Sequence, residues 1–144
     1  MTSVPRLSSE PDASAEQRAR ISGAIDGWNM DVTGDRDYQP VTIFLRDDDG
    51  TIHGGVTGGV WGTWLHVTGL WVDEAFRGLG FGRDLLLAAE AEARKAGARH
   101  AYLETHTFQA PGLYRRLGYV VIAELEDYPP GDSQLIMRKD LSDP

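Results

Sequence analysis

Three glycines at alternate positions, Gly78, Gly80 and Gly82, separate an apolar run from a long Leu- and Ala-rich segment. The run before them, Leu70-Trp71-Val72, has the bulky and β-branched character of a strand end. The segment after them, about Gly80 to Ala96, repeats Leu86, Ala89, Ala93 and Ala96 at spacings of three and four, as a helix does. Strand, glycine turn and helix start together make an anion site. Glycine lets the backbone turn sharply and approach a ligand. The first amides of a helix lack partners within it and point outward, and the helix dipole adds partial positive charge there. A phosphate or diphosphate suits that arrangement. The plain alternative is a strand-to-helix turn that binds nothing.

Spacing narrows the choice of guest. Walker A requires Gly, four residues, then Gly-Lys-Ser/Thr, and that pattern is absent. The dinucleotide fingerprint requires its third glycine three places after the second, whereas here it falls two places after. What fits is Arg-x-x-Gly-x-Gly, at Arg77, Gly80 and Gly82. The segment thereby resembles the acetyl-CoA-binding motif of the GNAT superfamily of N-acyltransferases. The resemblance implies that Arg77, Gly78, Leu79, Gly80, Phe81, Gly82 and Arg83 hold the CoA diphosphate. It further implies that Leu70, Trp71 and Val72 pair with the pantetheine arm, and that a bulge frees an amide near Val72 for the thioester oxygen.

A second stretch, Thr107 to Tyr119, resembles another part of the same pattern: a short helix ending in Tyr and then Leu-Gly-Phe/Tyr. Ala110 and Tyr114 match it, while Thr107 stands where Asn is common. The string from Thr105 to Ala110 resembles small bacterial-type acetyltransferases. By this resemblance Thr107, Ala110 and Tyr114 also touch the cofactor, and Tyr114 donates to the departing thiolate. A phenol, with its usual pKa near ~10, is protonated at neutral pH. His66 and Glu104 are the candidate general bases. His66 shares strand parity with Trp64, Thr68, Leu70 and Val72. Glu104 and His106 share a face of the next strand.

The rest of the chain supplies the frame. Ser14 and Gln17 form a capping-box pattern, and Ile21, Ala24, Ile25 and Trp28 make one helical stripe, so a helix is expected over about Ser14 to Trp28. Asn29 to Pro40 reads as an acidic loop, with Asp31, Asp35 and Tyr38 as acceptor candidates. Val41–Arg46, Thr51–Val60 and Trp64–Val72 read as an antiparallel meander, the first two strands joined at Asp47-Asp48-Asp49-Gly50. Arg99–Thr105 follows the helix as a parallel strand. A short helix spans Gln109–Leu117, and Tyr119–Glu126 and Ser133–Lys139 are the last strands, with Asp127 and Tyr128 between them. A short edge strand near Ser3 to Leu7 would bring the total to seven. The expected fold is α+β in one domain, residues 1–144, with residues 1–12 loose. Its sheet is mixed and mostly antiparallel, with six or seven strands and helices on both faces. The strands flanking the glycine loop would be strands four and five, parallel and splayed. Trp61, Trp64 and Trp71 suggest an aromatic wall, with Trp71 in the core.

Composition excludes some functions. No Cys is present, hence no thiolate nucleophile. No His-x3-His helical pair exists, so no metal is expected. A net charge of −8 disfavours nucleic acid. No apolar run approaches the ~20 residues of a membrane span, and MTSVPRLSSEPD lacks the apolar core of a signal peptide. The expectation is a cytoplasmic N-acetyltransferase that moves acetyl from acetyl-CoA to an amine of a small molecule or peptide, in a ternary complex. Such folds often dimerise through their late strands. The alternative is a non-catalytic acyl-CoA-binding module.

Overall fold

A computed structural model of the chain describes residues 3–34 and 37–141. Contacts divide the chain into two units, Met1–Arg36 and Asp37–Pro144.

In the first unit, helix α1 spans Ala15–Thr33. Ser14 Oγ accepts from the Gln17 N–H at 3.1 Å, and Gln17 Oε1 accepts from the Ser14 N–H at 2.8 Å. This is the capping box that the sequence suggested. The helix runs five residues past Trp28, so Asp31 lies on a helix rather than in a loop. Gly27 costs the helix only about 1 kcal/mol and does not end it. The stop comes at Gly34, which adopts a left-handed φ of 69° and donates its N–H to the Met30 carbonyl at 2.8 Å. Residues 3–10 are irregular and exposed, so no strand forms at Ser3 to Leu7. Pro5 has no N–H to give to a ladder there. Asp35 lies outside the described residues.

The second unit is a six-stranded sheet in the order β1-β2-β3-β4-β6-β5. The strands are β1 Gln39–Arg46, β2 Ile52–Trp61, β3 Trp64–Val72, β4 His100–His106, β5 Val120–Glu126 and β6 Ser133–Asp140. Helix α2, Phe81–Lys95, joins β3 to β4, and helix α3, Pro111–Arg116, joins β4 to β5. Among the described strands, only β3 and β4 pair in parallel. With no strand before α1 among the described residues, this pair is third and fourth in chain order, not fourth and fifth.

One face of the sheet carries the core. Leu85, Leu86, Ala89 and Ala93 of α2 are buried together with Val56, Val60, Leu65, Val67, Ala101, Leu103 and Met137 of the strands. Each buried Leu contributes about 1.5–3 kcal/mol. Glu90 is also fully buried on α2. Its carboxylate accepts from the Tyr119 hydroxyl at 3.0 Å and from Lys139 Nζ at 2.7 Å, which supplies the partners that a buried charge requires. Strand β5 forms one edge of the sheet, opposite β1, and is exposed along its length. Among the described residues, no helix is long and apolar enough to cross a membrane.

Candidate active site

The site begins where β3 ends. Asp73 caps a single 3-10 turn, Glu74–Phe76, its side chain accepting from the Ala75 N–H at 3.3 Å. Arg77 then donates from Nε to the Val72 carbonyl at 2.9 Å, which folds the loop back onto the strand end. Gly78 and Gly80 adopt φ of 75° and 89°. Side chains rarely tolerate that region, which explains the residue type at both positions. Gly80 is the N-cap of α2 and brings no side chain of its own to the first amides of the helix. Those amides are free to meet a ligand.

The strands part next to this loop. Pairing between β3 and β4 runs from Trp64/His100 to Val67/Leu103 and then ceases, although β3 continues to Val72 and β4 to His106. The edge of β3 beyond Val67 is therefore open on the β4 side. A bulge lies here too, but at Thr68 rather than near Val72: Thr57 pairs with Gly69 and Gly58 with Val67. Gly58 permits it, since a Cβ there would collide with the His66 carbonyl oxygen.

The bulge reverses the parity of β3. Leu65 and Val67 face the core before it, and Leu70 and Val72 pack against the core after it. His66 therefore does not share a face with Leu70 and Val72. Trp71 is turned outward and is 52 % exposed, not a core residue. Nor do the tryptophans form one wall. Trp64 and Trp71 are seven strand residues apart, roughly 23 Å at about 3.3 Å each. Trp64 instead contacts the rings of His100 and Tyr102, with the Arg138 guanidinium over it at 4.9 Å.

A cavity of about 1060 Å³ joins the loop to the gap between the strands. Its lining includes Leu70, Trp71, Val72, Arg77, Gly78, Gly80, Phe81, Gly82, Arg83, Ala110 and Tyr114, all expected from the sequence. Leu79 and Thr107 are not in it. Leu79 is 66 % exposed. The Thr107 hydroxyl donates to Asp132 at 2.8 Å and accepts from the Ser133 N–H at 3.0 Å, so it ties two loops together. The sequence reading missed Gln109 and Arg116, which also line the cavity. Gln109 Oε1 accepts from the His106 N–H at 2.8 Å and from the Thr105 hydroxyl at 3.1 Å, fixing the turn into α3. The signal for it was its place in the string Thr105 to Ala110, which the sequence resemblance already singled out. Three guanidinium groups, of Arg77, Arg83 and Arg116, line the cavity of an acidic chain, that of Arg83 paired with Asp84 at 3.1 Å.

Tyr114 is half-buried, and its ring meets Tyr119 edge-on at 6.1 Å. Burial raises its hydroxyl above the usual phenol pKa, so it is a donor throughout the neutral range. Glu104 is in the cavity lining, and His66 Nε2 lies 2.9 Å from its Oε2. The imidazole stacks on Tyr102 with centroids 4.2 Å apart. His66 thus adjoins the cavity through Glu104. His106 makes stacked contacts with the rings of Phe108 and Tyr128. Tyr38 lies over Gly59, where a Cβ would collide with its ring. Among the described residues, no group of three His, Asp or Glu side chains is placed to hold a metal ion.

Comparison with known proteins agrees with this geometry. The sequence profile of the acetyltransferase (GNAT) family matches residues 9–119. The chain is 37% identical over 142 residues to a blasticidin-S acetyltransferase from Streptomyces morookaense, covering 98% of this chain and 100% of that protein. It is 37% identical over 133 residues to an acetyltransferase from Agrobacterium fabrum, covering 92% and 96%. The 1.9 Å crystal structure of an acetyltransferase from Bacillus cereus superposes with a TM-score of 0.80 at 31% identity, over 92% of this chain and 97% of that one.

Proposed function

The chain belongs to the acetyltransferase (GNAT) family, and from that premise we propose that it moves an acetyl group from acetyl-CoA directly to the amine of a small molecule. One observation carries the reading. A single cavity runs from the glycine loop to the parted strands, with Tyr114 and Glu104 both in its lining. The residues fit the cosubstrate: amides at the start of α2 and three arginines suit phosphates, and the open edge of β3 suits an extended amide-bearing arm.

Each residue then has a defined task. Backbone N–H groups along β3 beyond Val67 hold the thioester oxygen as negative charge develops on it. Glu104 receives the proton that the attacking amine must lose, directly or through water, and His66 orients the Glu104 carboxylate. The carbon–nitrogen bond forms as the carbon–sulfur bond breaks. Tyr114 stabilises the departing thiolate by donating a hydrogen bond. Its raised pKa strengthens the case for a donor that keeps its proton over an acid that surrenders it fully. With no Cys in the chain, direct transfer requires no acylated thiol. The relative that acts on blasticidin-S supports a small-molecule acceptor.

The test is a panel of amines (nucleoside antibiotics, aminoglycosides, polyamines, amino acids, peptides) read by thiol released from acetyl-CoA. Amine-dependent release with at least one small molecule is expected. Tight acetyl-CoA binding with no release against the whole panel would replace the enzyme by an acyl-CoA-binding module.

A further inference from the structure

A histidine that the proposed chemistry does not use stands behind the cofactor loop. His53, on β2, is flanked by two carboxylates from separate segments. Nε2 lies 2.7 Å from Asp47 Oδ2, in the turn after β1, and Nδ1 lies 3.6 Å from Asp73 Oδ2, at the end of β3. The first contact is a hydrogen bond. The second is an ion-pair distance, too long for a hydrogen bond, and depends on the charge of the ring. Asp47 is itself held by the N–H groups of Asp49 and Thr51, at 3.0 and 2.9 Å. Asp73 caps the 3-10 turn and gives its own N–H to the His53 carbonyl at 2.7 Å. The imidazole also contacts the Phe76 ring at 4.7 Å, and Phe76 meets Phe81, the first residue of α2, edge-on. Phe76 and Phe81 both line the cavity. A continuous set of contacts therefore joins the β1–β2 turn to the loop that receives phosphate.

We propose that His53 is a positioning residue: in its charged form it ties Asp73 to Asp47 and so holds the 3-10 turn and the Phe76 wall of the cavity in their binding arrangement. The consequence for cofactor affinity rests on the acetyl-CoA reading given above; the clamp itself does not. Among the described residues, the groups that face the ring are Asp47 from the turn, Asp73 from the end of β3 and the uncharged Phe76. The hydrogen bond with Asp47 raises the pKa of His53 above its ordinary 6.5, with Asp73 adding to the effect. The sign follows. The clamp is complete below that ordinary value and is lost as pH rises through the higher value of the folded protein. A neutral ring keeps its hydrogen bond to Asp47 but no longer attracts Asp73.

Amide hydrogen exchange of residues 74–80 tests this without any ligand. The measurement compares wild type, His53→Gln and His53→Arg from about pH 5.5 to about pH 8.5, a window that brackets imidazole titration. The Gln variant should exchange faster than wild type at the acid end, by about threefold to fivefold, the effect of one exposed ion pair. The two should converge at the alkaline end. The Arg variant, charged throughout, should stay protected at both ends. A Gln-to-wild-type ratio that does not change with pH overturns the clamp. If the Gln variant does not fold, wild-type exchange in the 3-10 turn relative to its own β2–β3 amides decides by the same criterion. CoA calorimetry on the same samples separates the two proposals. No CoA heat with a pH-dependent ratio overturns the cofactor reading and leaves the clamp. CoA binding with a flat ratio does the reverse.

Discussion

At the scale of single residues, the two tyrosines in edge-on contact, Tyr114 and Tyr119, do different work. Tyr114 lines the cavity; Tyr119 is 1% exposed and donates to Glu90. Replacing Tyr114 by Phe keeps the ring and removes only the donor. Turnover should fall by about 100-fold, as for loss of one donor to developing charge. The affinity for CoA, measured by calorimetry, should remain within about twofold, since a donor used only in the transition state contributes little to ground-state binding. Equal turnover at saturating substrates would remove Tyr114 from the chemistry. Glu90 is a separate matter. Glu90→Ala leaves Lys139 and the Tyr119 hydroxyl without their acceptor inside the fold. Stability should fall by about 3–5 kcal/mol in a urea titration, the cost of breaking a buried pair, while any protein that remains folded keeps its CoA affinity. Tyr114 was legible because it stands at a fixed place in a local string. The Glu90–Lys139 bond joins residues 49 positions apart, and nothing near either residue announces the other.

At the scale of elements, the glycine loop and α2 were readable because the signals are local: spaced glycines, a repeat of three and four, and a strand on either side. Their physical weight can be measured at Gly80. An L-residue in the left-handed region costs about 1–2 kcal/mol, and a Cβ there would also lie 3.2 Å from Arg83 Nη2. Gly80→Ala should therefore lower the stability of the folded protein by about 1–2 kcal/mol, read as a shift of the urea unfolding midpoint. The circular dichroism of α2 and the sheet should be unchanged. The face of β3 was misread for an equally physical reason. Period-two alternation assigns faces only while the ladder is unbroken. The extra residue at Thr68 is imposed from the opposite strand, where Gly58 lets the His66 carbonyl approach. Within β3 the sign was the spacing of two, three and two in Leu65, Val67, Leu70 and Val72, with Gly69 in the gap, and Trp64 and Trp71 at the other parity obscured it. The end of α1 fails similarly. Gly27 and Gly34 are the same residue type, but only Gly34 adopts the left-handed conformation that closes a helix.

At the scale of the whole molecule, charge creates an opposition. The chain carries −8, and CoA is itself an anion, yet the cavity is lined by Arg77, Arg83 and Arg116. Long-range repulsion and short-range attraction respond differently to salt, because screening acts first on charges farther apart than the Debye length, about 30 Å at 0.01 M and 10 Å at 0.1 M. Adding salt across that range removes most of the repulsion that CoA meets on approach, while the arginine contacts at the loop are screened less. The association rate of CoA in stopped-flow measurements should therefore rise between 10 and 100 mM salt, by about twofold to threefold for a modest steering effect. A cationic amine acceptor is attracted by the same net charge and should show the opposite slope in its apparent second-order rate. If both rates fall with salt, the field of the loop arginines extends beyond the cavity and outweighs the acidic surface. If neither changes, approach to the site is governed by shape alone, and the acidic surface serves solubility rather than delivery of substrate.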